Sequence, residues 1–302
     1  MMIRPVSFDY NSETALTNAM QHPAAGNVLC ATAAISEFNR LVQALESEGL
    51  SVCIASDTPL PAKPDAVFPN NWVSFHEDGT VVLYPMHAKS RRAERRQEVI
   101  DTVVQNLGFT VRRVLDLTHH ESEGRSLEGT GSLVLDHINR VAYASLSPRT
   151  HRMVVEEWSR EMSYEPILFE AFDRQGVPIY HTNVLLSVGE RAAVVGSAAI
   201  SEKDRGRVLE HLRASGREVV EIGHAEIEQF VGNMLELASW DEALGDYRVM
   251  VMSGAARAVL SPETYERLSG CTDAMVAVPV PTIESVGGGS VRCMLAEVFL
   301  PT

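Results

Sequence analysis

One cysteine of the chain lies in surroundings that suit a nucleophile. Cys293 follows the glycine triplet 287–289 and opens an apolar run. The glycines allow positive φ and a close approach to a ligand, and the run is typical of a buried strand that would fix where the thiol points. The alternative is an ordinary turn followed by a small buried hydrophobic residue, which is the commoner role of a cysteine.

Four earlier polar clusters open apolar runs in the same way. They are Asp65 with Asn70 and Asn71, Glu128, His181 with Asn183, and Gly232 with Asn233. Counted through to Cys293, the starts at 65, 128, 181, 232 and 293 are 63, 53, 51 and 61 residues apart. Such a period is typical of a propeller or array, whose units bury their apolar faces against one another. The pattern predicts five copies of one unit, with a thiol, an imidazole and carboxylates converging at one end of a central channel.

Helices and strands alternate along the whole chain, which predicts an α/β fold. Helical periodicity covers 33–50, 93–107, 150–161, 202–215 and 261–269. Runs rich in β-branched residues predict strands at 51–55, 80–84, 110–115, 141–144, 191–195, 218–222 and 248–252. No linker-like stretch divides the sequence. Residues 1–302 are therefore expected to form one domain.

The charge balance argues against a nucleic-acid partner. Lys and Arg total 26 against 40 Asp and Glu, which gives a net charge of −14, whereas a phosphate backbone is held mainly by clustered cations. The basic cluster Arg91, Arg92, Arg95 and Arg96 is interleaved with acids at helical spacing. A solvated helix face is predicted there.

The cysteines, Cys30, Cys53, Cys271 and Cys293, match neither a disulfide-dense scaffold nor a paired zinc motif. Free thiols in a reducing compartment are therefore expected. The N-terminus lacks the pattern of a secretion signal, and no window holds eighteen uninterrupted apolar residues. These observations predict a cytoplasmic protein without a membrane partner, and they are compatible with a homo-oligomer.

A histidine pair suggests a metal site at first sight. His119 and His120 precede Glu121 and Glu123. Because adjacent histidines do not readily face one ion, a solvated loop that could cover the site is predicted instead.

The motifs, taken in order, resemble the guanidine-modifying enzymes of the amidinotransferase-like or pentein superfamily. The matching residues are Asp65-x-x-Phe68, Leu127-Glu128-Gly-x-Gly, Leu146-Ser-x-Arg149-Thr150, His181-x-Asn183 and Gly-Gly-Gly-Ser-x-x-Cys293. The resemblance spans residues 3–300 and is nearest to bacterial citrulline hydrolases or ureidases, arginine dihydrolases and dimethylarginine dimethylaminohydrolases. It implies a five-bladed α/β propeller, the pentein fold, built from ββαβ-type repeats around a central active-site channel.

The resemblance also implies roles for residues that match the family pattern. Cys293 would be the nucleophile, His181 the general acid and base, and Glu128 the carboxylate that orients substrate nitrogens. Asp65 would bind substrate nitrogens and Arg149 the substrate α-carboxylate. The full predicted substrate-binding set is Asp65, Phe68, Asn70, Asn71, Arg149, Asn183 and Asn233, where Asn233 either binds substrate or caps a backbone carbonyl. No cofactor and no metal are expected.

The expected reaction follows from the weak electrophilicity of a guanidinium or urea carbon. Three heteroatoms donate into that carbon, so hydrolysis needs a strong nucleophile and a leaving nitrogen that is protonated as it departs. A thiolate and an imidazole supply these two requirements.

The substrate is expected to be citrulline, or arginine processed through citrulline. In related deiminases a second acid occupies the position of Asn71, and an amide there weakens the preference for a cation while its donor and acceptor suit a neutral ureido group. Citrulline would then yield ornithine, ammonia and carbon dioxide. The alternatives are an arginine or methylarginine deiminase, an amidinotransferase, or a non-catalytic propeller that binds an arginine-like small molecule.

Overall fold

The computed structural model describes residues 1–24, 30–241 and 245–302 of the chain. Within these ranges, one two-stranded sheet and four three-stranded sheets follow one another. Every three-stranded sheet has one design: its first strand is antiparallel to the second, and a helical crossover leads to a third strand parallel to the second. The predicted α/β class is confirmed.

The five units follow chain order. The first holds β1 (Met2–Arg4), α1 (Cys30–Ser47) and β2 (Ile54–Ser56). The second holds β3 (Val73–Phe75), β4 (Thr80–Leu83), α2 (Gln97–Leu107) and β5 (Arg113–Asp116). The third holds α3 (Gly129–Ser132), β6 (Val134–Asp136), β7 (Val141–Ser145), α4 (Arg152–Met162) and β8 (Glu165–Phe169). The fourth holds β9 (Leu186–Val188), β10 (Ala192–Val195), α5 (Glu202–Ala214) and β11 (Glu218–Glu221), and α6 (His224–Ile227) follows it. The fifth holds β12 (Leu235–Asp241), β13 (Gly245–Ser253), α7 (Gly254–Val259), α8 (Pro262–Ser269) and β14 (Ala274–Val278).

Helix α4 illustrates how the crossovers form. The His151 ring accepts a hydrogen bond from the Met153 amide at the N-terminus, and Ser163 ends the helix in the left-handed conformation. Val154, Val155 and Trp158 form an apolar stripe at helical spacing, and all three are fully buried. This stripe packs in one core cluster with side chains from two neighbouring sheets, so the helix holds its own unit against the preceding one.

Met1 pairs with the C-terminal segment through backbone hydrogen bonds. The Met1 nitrogen donates to the Ala296 carbonyl over 2.7 Å, and the Ala296 amide donates back to Met1 over 3.0 Å. A parallel bridge joins Val298 to Phe75 of β3. The C-terminal segment therefore lies between the first two units and supplies an extended segment that the first unit otherwise lacks.

Most predicted elements are present, with boundaries that differ by no more than four residues. The predicted helix over 93–107 begins only at Gln97, because Lys89–Glu94 forms a separate 3-10 turn. The strand predicted to open at Cys293 is wrong. That residue lies in the 3-10 turn Val291–Met294, and the segment after it makes only the bridge at Val298.

Two further expectations can be compared with the structure. Cys53, Cys271 and Cys293 are free thiols, as expected. In the described ranges, no helix combines the length and the apolar character that crossing a bilayer requires.

Candidate active site

Several predicted site residues line one small cavity. They are Asp65, Phe68, Asn71, Arg149, His181 and Cys293, and they share the wall with Thr14, Asn18, Arg91, Tyr180 and the glycines 287–289. The cavity measures about 20 Å³, which is room for about one water molecule. The cavity is therefore small compared with the pockets that usually hold small molecules. Glu128, Asn70, Asn183 and Asn233 are buried behind these residues and hydrogen-bond to them.

Short turns of helix place the polar groups just before the first strand of each unit. Asn70 and Asn71 lie in the turn Pro69–Asn71, Glu128 precedes α3, and His181 precedes the turn Thr182–Val184. These turns pack closely. A Cβ at Gly129, whose φ is +45°, would lie 2.1 Å from the Asn70 carbonyl oxygen, so only glycine fits there.

Two amide side chains face the Cys293 sulfur. Nδ2 of Asn233 lies 3.3 Å from Sγ, and Nδ2 of Asn183 lies 3.5 Å from it. Asn233 is fixed by further hydrogen bonds, from its Nδ2 to the Asn183 carbonyl and from the Arg292 amide to its Oδ1. Donors aimed at sulfur stabilise the thiolate more than the thiol, because a charged acceptor forms the stronger hydrogen bond.

His181 and Glu128 form a buried hydrogen-bonded pair. Nε2 of His181 lies 2.8 Å from Oε2 of Glu128. Burial lowers the pKa of His181 to about 4, although the hydrogen bond to Glu128 opposes this shift. Burial alone would raise the pKa of Glu128, but Arg149, His181 and Arg91 lower it well below its ordinary value. The pair is therefore a carboxylate and a neutral imidazole, with the ring proton on Nε2 and a lone pair on Nδ1.

Two guanidinium groups complete the charges of the site. Arg149 donates to the Thr14 carbonyl over 2.7 Å and to Oγ1 of Thr17 over 3.0 Å, and its Nη1 lies 3.5 Å from Glu128. Arg91 was predicted on a solvated helix face, and that prediction is wrong. The side chain of Arg91 is 2% exposed and donates to Oδ1 of Asn71 over 2.8 Å and to both carboxylate oxygens of Glu94.

Asp65 presents one carboxylate oxygen with no partner. Its Oδ2 accepts from Nδ2 of Asn11 over 2.7 Å and from Oγ1 of Thr14 over 3.2 Å, whereas its buried Oδ1 has no hydrogen-bond partner among the described residues. Burial raises the pKa of Asp65, against the lowering effect of Arg91. An unpaired buried acceptor that lines the cavity is suited to a substrate N–H group.

The amides of Asn70 and Asn71 form a chain of hydrogen bonds. Nδ2 of Asn71 donates to Oδ1 of Asn70 over 3.1 Å, and Nδ2 of Asn70 donates to Oγ1 of Thr130 over 3.3 Å. Because Oδ1 of Asn71 already accepts from Arg91, both ends of this amide have protein partners. Asn71 thus holds Arg91 in place without adding a negative charge to the cavity.

The prediction of a solvated loop at His119 and His120 is only partly correct. The side chain of His119 is 57% exposed, but that of His120 is only 5% exposed. Both rings face the same side, towards Glu157 of α4. The argument from sequence that adjacent histidines do not readily face one ion did not anticipate this arrangement.

Sequence reasoning missed four residues of the wall. Arg91 was hidden by its helix-like charge pattern, and Thr14 and Asn18 lie in an N-terminal segment that has no clear periodicity. Asn18 donates to the Gly288 carbonyl, as does the Tyr180 hydroxyl. Tyr180 directly precedes His181, and this adjacency was the one signal in the sequence that could have identified it.

Comparisons with known proteins agree with this arrangement. Residues 4–300 match the family model described as N,N-dimethylarginine dimethylhydrolase, eukaryotic. Apo ArgZ, an arginine dihydrolase from the ornithine–ammonia cycle in Cyanobacteria, is 16% identical with a TM-score of 0.75, and the match covers 99% of this chain and 40% of that one. The N-terminal domain of ArgZ bound to product is 17% identical with a TM-score of 0.72, covering 99% and 98%. A dimethylarginine dimethylaminohydrolase adduct with 4-chloro-2-hydroxymethylpyridine is 16% identical with a TM-score of 0.62, covering 97% and 96%. No curated protein matches the chain by sequence. At these identities the solved structures show a common fold, and the chain spans less than half the length of full-length ArgZ.

Proposed function

This chain belongs to the N,N-dimethylarginine dimethylhydrolase family of the pentein superfamily, and we propose that it is a cysteine-dependent hydrolase of arginine-derived amino acids. It would act on a carbon–nitrogen bond of the guanidino or ureido carbon. One observation carries the proposal: Cys293, His181, Asp65 and Arg149 line the same cavity. One small molecule in this cavity can therefore reach all four groups that the reaction needs. They are a nucleophile, a proton carrier, an acceptor for substrate N–H groups and a cation for the substrate carboxylate.

The first step forms a covalent intermediate. Nδ1 of the neutral His181 takes the Cys293 proton as sulfur adds to the ureido carbon of citrulline. The bond from that carbon to the side-chain nitrogen breaks, and the proton passes to the departing amine of ornithine. Asn183 and Asn233 stabilise the negative sulfur through their Nδ2 groups, which supports a role in holding the thiolate rather than in contacting substrate.

The second step releases the thiol. Water attacks the carbamoyl carbon, His181 takes a proton from it, and the carbon–sulfur bond breaks. Sulfur regains its proton, and the carbamate that leaves decomposes to ammonia and carbon dioxide. Glu128 holds the ring in the tautomer that both steps need, because its carboxylate accepts the Nε2 proton over 2.8 Å.

Citrulline is the preferred substrate because the charges around the cavity are nearly balanced. Asp65 and Glu128 face Arg91 and Arg149, and Asn71 adds no charge. Glu94, which pairs with Arg91, is uncharged below about pH 7 because burial raises its pKa to about 7. Binding arginine would bury another cation without an excess of carboxylates to offset its desolvation, whereas a neutral ureido group carries no such cost. The unpaired Oδ1 of Asp65 can accept one of its N–H groups.

Arginine processed through citrulline to ornithine is the second candidate. The same Oδ1 of Asp65 would form a stronger, charge-assisted hydrogen bond with a guanidinium than with a ureido group. Incubation of the pure protein with each amino acid, followed by quantification of ornithine, citrulline and ammonia, separates the two candidates. Ornithine from citrulline alone supports the first, and ornithine from both supports the second. Citrulline accumulating from arginine without ornithine would show a deiminase and would refute both.

The five units are further proposed to close into a five-bladed propeller as one domain. The pairing of Met1 with Ala296 supports this arrangement, since it gives the first unit an additional extended segment and so the same composition as the other four. The bridge from Val298 to Phe75 then connects that unit to the second.

A further inference from the structure

A second group of metal-ligating side chains lies outside the cavity. His119 and His120 belong to the 3-10 turn Thr118–Glu123, and Glu157 belongs to α4. Nε2 of His120 lies 3.0 Å from Oε2 of Glu157, and Nε2 of His119 lies 3.9 Å from Oε1. One ligand atom from each of the three residues can be chosen so that all lie within 4.8 Å of one another.

The turn holds its two histidines on the same side. Their ring centroids are 4.2 Å apart and the ring planes are inclined by 33°, so the rings are loosely stacked. The turn is fixed at Glu121, which accepts from the Met86 amide over 2.8 Å and from Arg95 over 2.6 Å. Gly124 then ends the turn in the left-handed conformation. The segment that carries the two histidines is therefore held in place by hydrogen bonds to Glu121.

Among the described residues, Glu157 differs from its acidic neighbours because it has no Lys or Arg as an ion-pair partner. Glu121 pairs with Arg92 and Arg95, and Glu123 pairs with Arg125. In contrast, no Lys or Arg nitrogen in the described ranges lies within 4 Å of the Glu157 carboxylate. His120 is buried, and its Nδ1 has no hydrogen-bond partner among the described residues, so Glu157 is the only side chain to which this imidazole hydrogen-bonds.

We propose that His119, His120 and Glu157 bind a divalent transition-metal cation of the zinc class. Two imidazoles and one carboxylate are ligands that Zn²⁺ accepts at about 2.0 to 2.2 Å, with water in the fourth position. Tetrahedral geometry at those lengths separates neighbouring ligand atoms by roughly 3.3 Å. Nε2 of His120 lies 3.0 Å from Oε2 of Glu157 and Nε2 of His119 lies 3.9 Å from Oε1, and one ligand atom from each residue lies within 4.8 Å of the others. The exposed His119 side chain has to move inwards for the three ligands to reach that geometry.

A bound ion would join two segments that lead to the cavity. The turn 118–123 precedes Glu128 in the chain, and α4 follows Arg149. The ion takes no part in the proposed hydrolysis. It would stabilise the folded state by mass action and hold these two segments together.

Zinc titration of metal-free protein by calorimetry tests the proposal. The parent protein carries Cys293→Ser, because a cysteine thiolate is a ligand that zinc accepts and would compete with the proposed site. One equivalent of Zn²⁺ should bind to this parent. His119→Ala and Glu157→Gln should each weaken binding by at least about tenfold, since each removes a ligand. The matched control is His22→Ala, which removes an exposed histidine elsewhere, and its zinc affinity should stay within about twofold of the parent.

A second measurement guards against misfolded variants. Co²⁺ bound in place of Zn²⁺ should give the intense visible absorption of a four-coordinate site, and Glu157→Gln should lose it while keeping the parent melting temperature in the absence of metal. His119→Ala and Glu157→Gln are sufficient to test the metal site. His120→Ala is not needed, because the side chain of His120 is buried and its removal would also disturb folding. Absence of zinc binding to the parent, or equal affinity and stoichiometry in both variants and the parent, would overturn the proposal.

Discussion

The amide of Asn233 offers the sharpest test of how the thiol is activated. Its Nδ2 donates to Sγ of Cys293 over 3.3 Å, which is shorter than the 3.5 Å from Nδ2 of Asn183 to the same sulfur. Asn233→Ala removes this donor. A hydrogen bond to a charged group contributes about 1.5 to 3 kcal/mol, and 1.4 kcal/mol corresponds to tenfold. We therefore expect the reactivity of the Cys293 sulfur towards an alkylating agent to fall about 10- to 100-fold.

Alkylation by iodoacetamide measures this reactivity directly, because a negatively charged sulfur is the reactive form. Mass spectrometry of the peptide that contains Cys293 separates its rate from those of the other cysteines. The alkylation rate and kcat should fall together in Asn233→Ala. Asn183→Ala should have a smaller effect, up to about tenfold, because its nitrogen lies farther from sulfur at 3.5 Å.

If Asn233 only supports the turn that carries Cys293, Asn233→Ala should slow alkylation and Asn233→Asp should not. Its Oδ1 also accepts the Arg292 amide, so Asn233→Ala disturbs the turn that carries the thiol. Asn233→Asp keeps an oxygen for that amide and loses the donor to sulfur, so it should react at least as slowly as Asn233→Ala. Asn139→Ala, at a turn remote in sequence, is the control for a lost amide. The reasoning is refuted if both Asn233 variants are alkylated within about twofold of the parent rate.

Three other predictions concern the remaining groups of the site. Cys293→Ser should lower kcat by at least about 1,000-fold with an unchanged melting temperature, and retained turnover would remove the nucleophile assignment. Asn71→Asp should raise the ratio of kcat/KM for arginine to that for citrulline about tenfold, because it adds a carboxylate to the cavity. Competition assays with both amino acids measure this ratio. An unchanged ratio would contradict the charge argument. NMR of the His181 ring should show a neutral imidazole from pH 8 down to pH 5, since its pKa is about 4. The unfolded chain takes up this proton first, near 6.5, so the stability contributed by neutral His181 is complete above that pH and declines as pH falls towards 4. A midpoint between 6 and 7 in the folded protein would contradict the burial of that ring.

The alternation of helices and strands could be predicted because periodicity is a local property of the sequence. The stripe of α4 and the β-branched run of β10 carry their signals within a few residues. The segment after Cys293 could not be assigned in the same way. Its apolar run indicates burial alone, and burial is equally compatible with the 3-10 turn Val291–Met294.

The spacing of the sequence was sufficient to locate the polar clusters. It did not reveal which side chains those clusters contact in the folded protein. Asp65 and Glu128 were identified because each opens an apolar run at a regular interval. Arg91 was missed, because a cation at helical spacing has the same pattern whether it faces solvent or enters the site. Tertiary packing turns it inwards, where its guanidinium donates to both carboxylate oxygens of Glu94. The separate roles of Asn183 and Asn233 likewise depend on the distances to sulfur, which no linear spacing contains.

Glu94 makes the charge of the cavity depend on pH. Burial raises the pKa of Glu94 to about 7, against the lowering effect of Arg91. Below that pH, Asp65 and Glu128 face two guanidinium groups and the local charges nearly cancel. Above it, Glu94 adds a third carboxylate, and a cationic substrate gains a partner that a neutral one does not. We therefore expect the ratio of kcat/KM for arginine to that for citrulline to rise between pH 6 and pH 8.

This ratio is informative because ionisations that affect both substrates equally cancel in it, including that of His181. Glu94→Gln removes the titrating group, although it also weakens the support of Arg91, so the absolute rates of this variant are expected to fall. Only the pH dependence of its ratio is diagnostic, and it should be flat. A ratio that rises as steeply in Glu94→Gln as in the parent would show that another group sets the charge of the cavity. The choice between a ureido and a guanidinium substrate would then not depend on the pairing of Arg91 with Glu94.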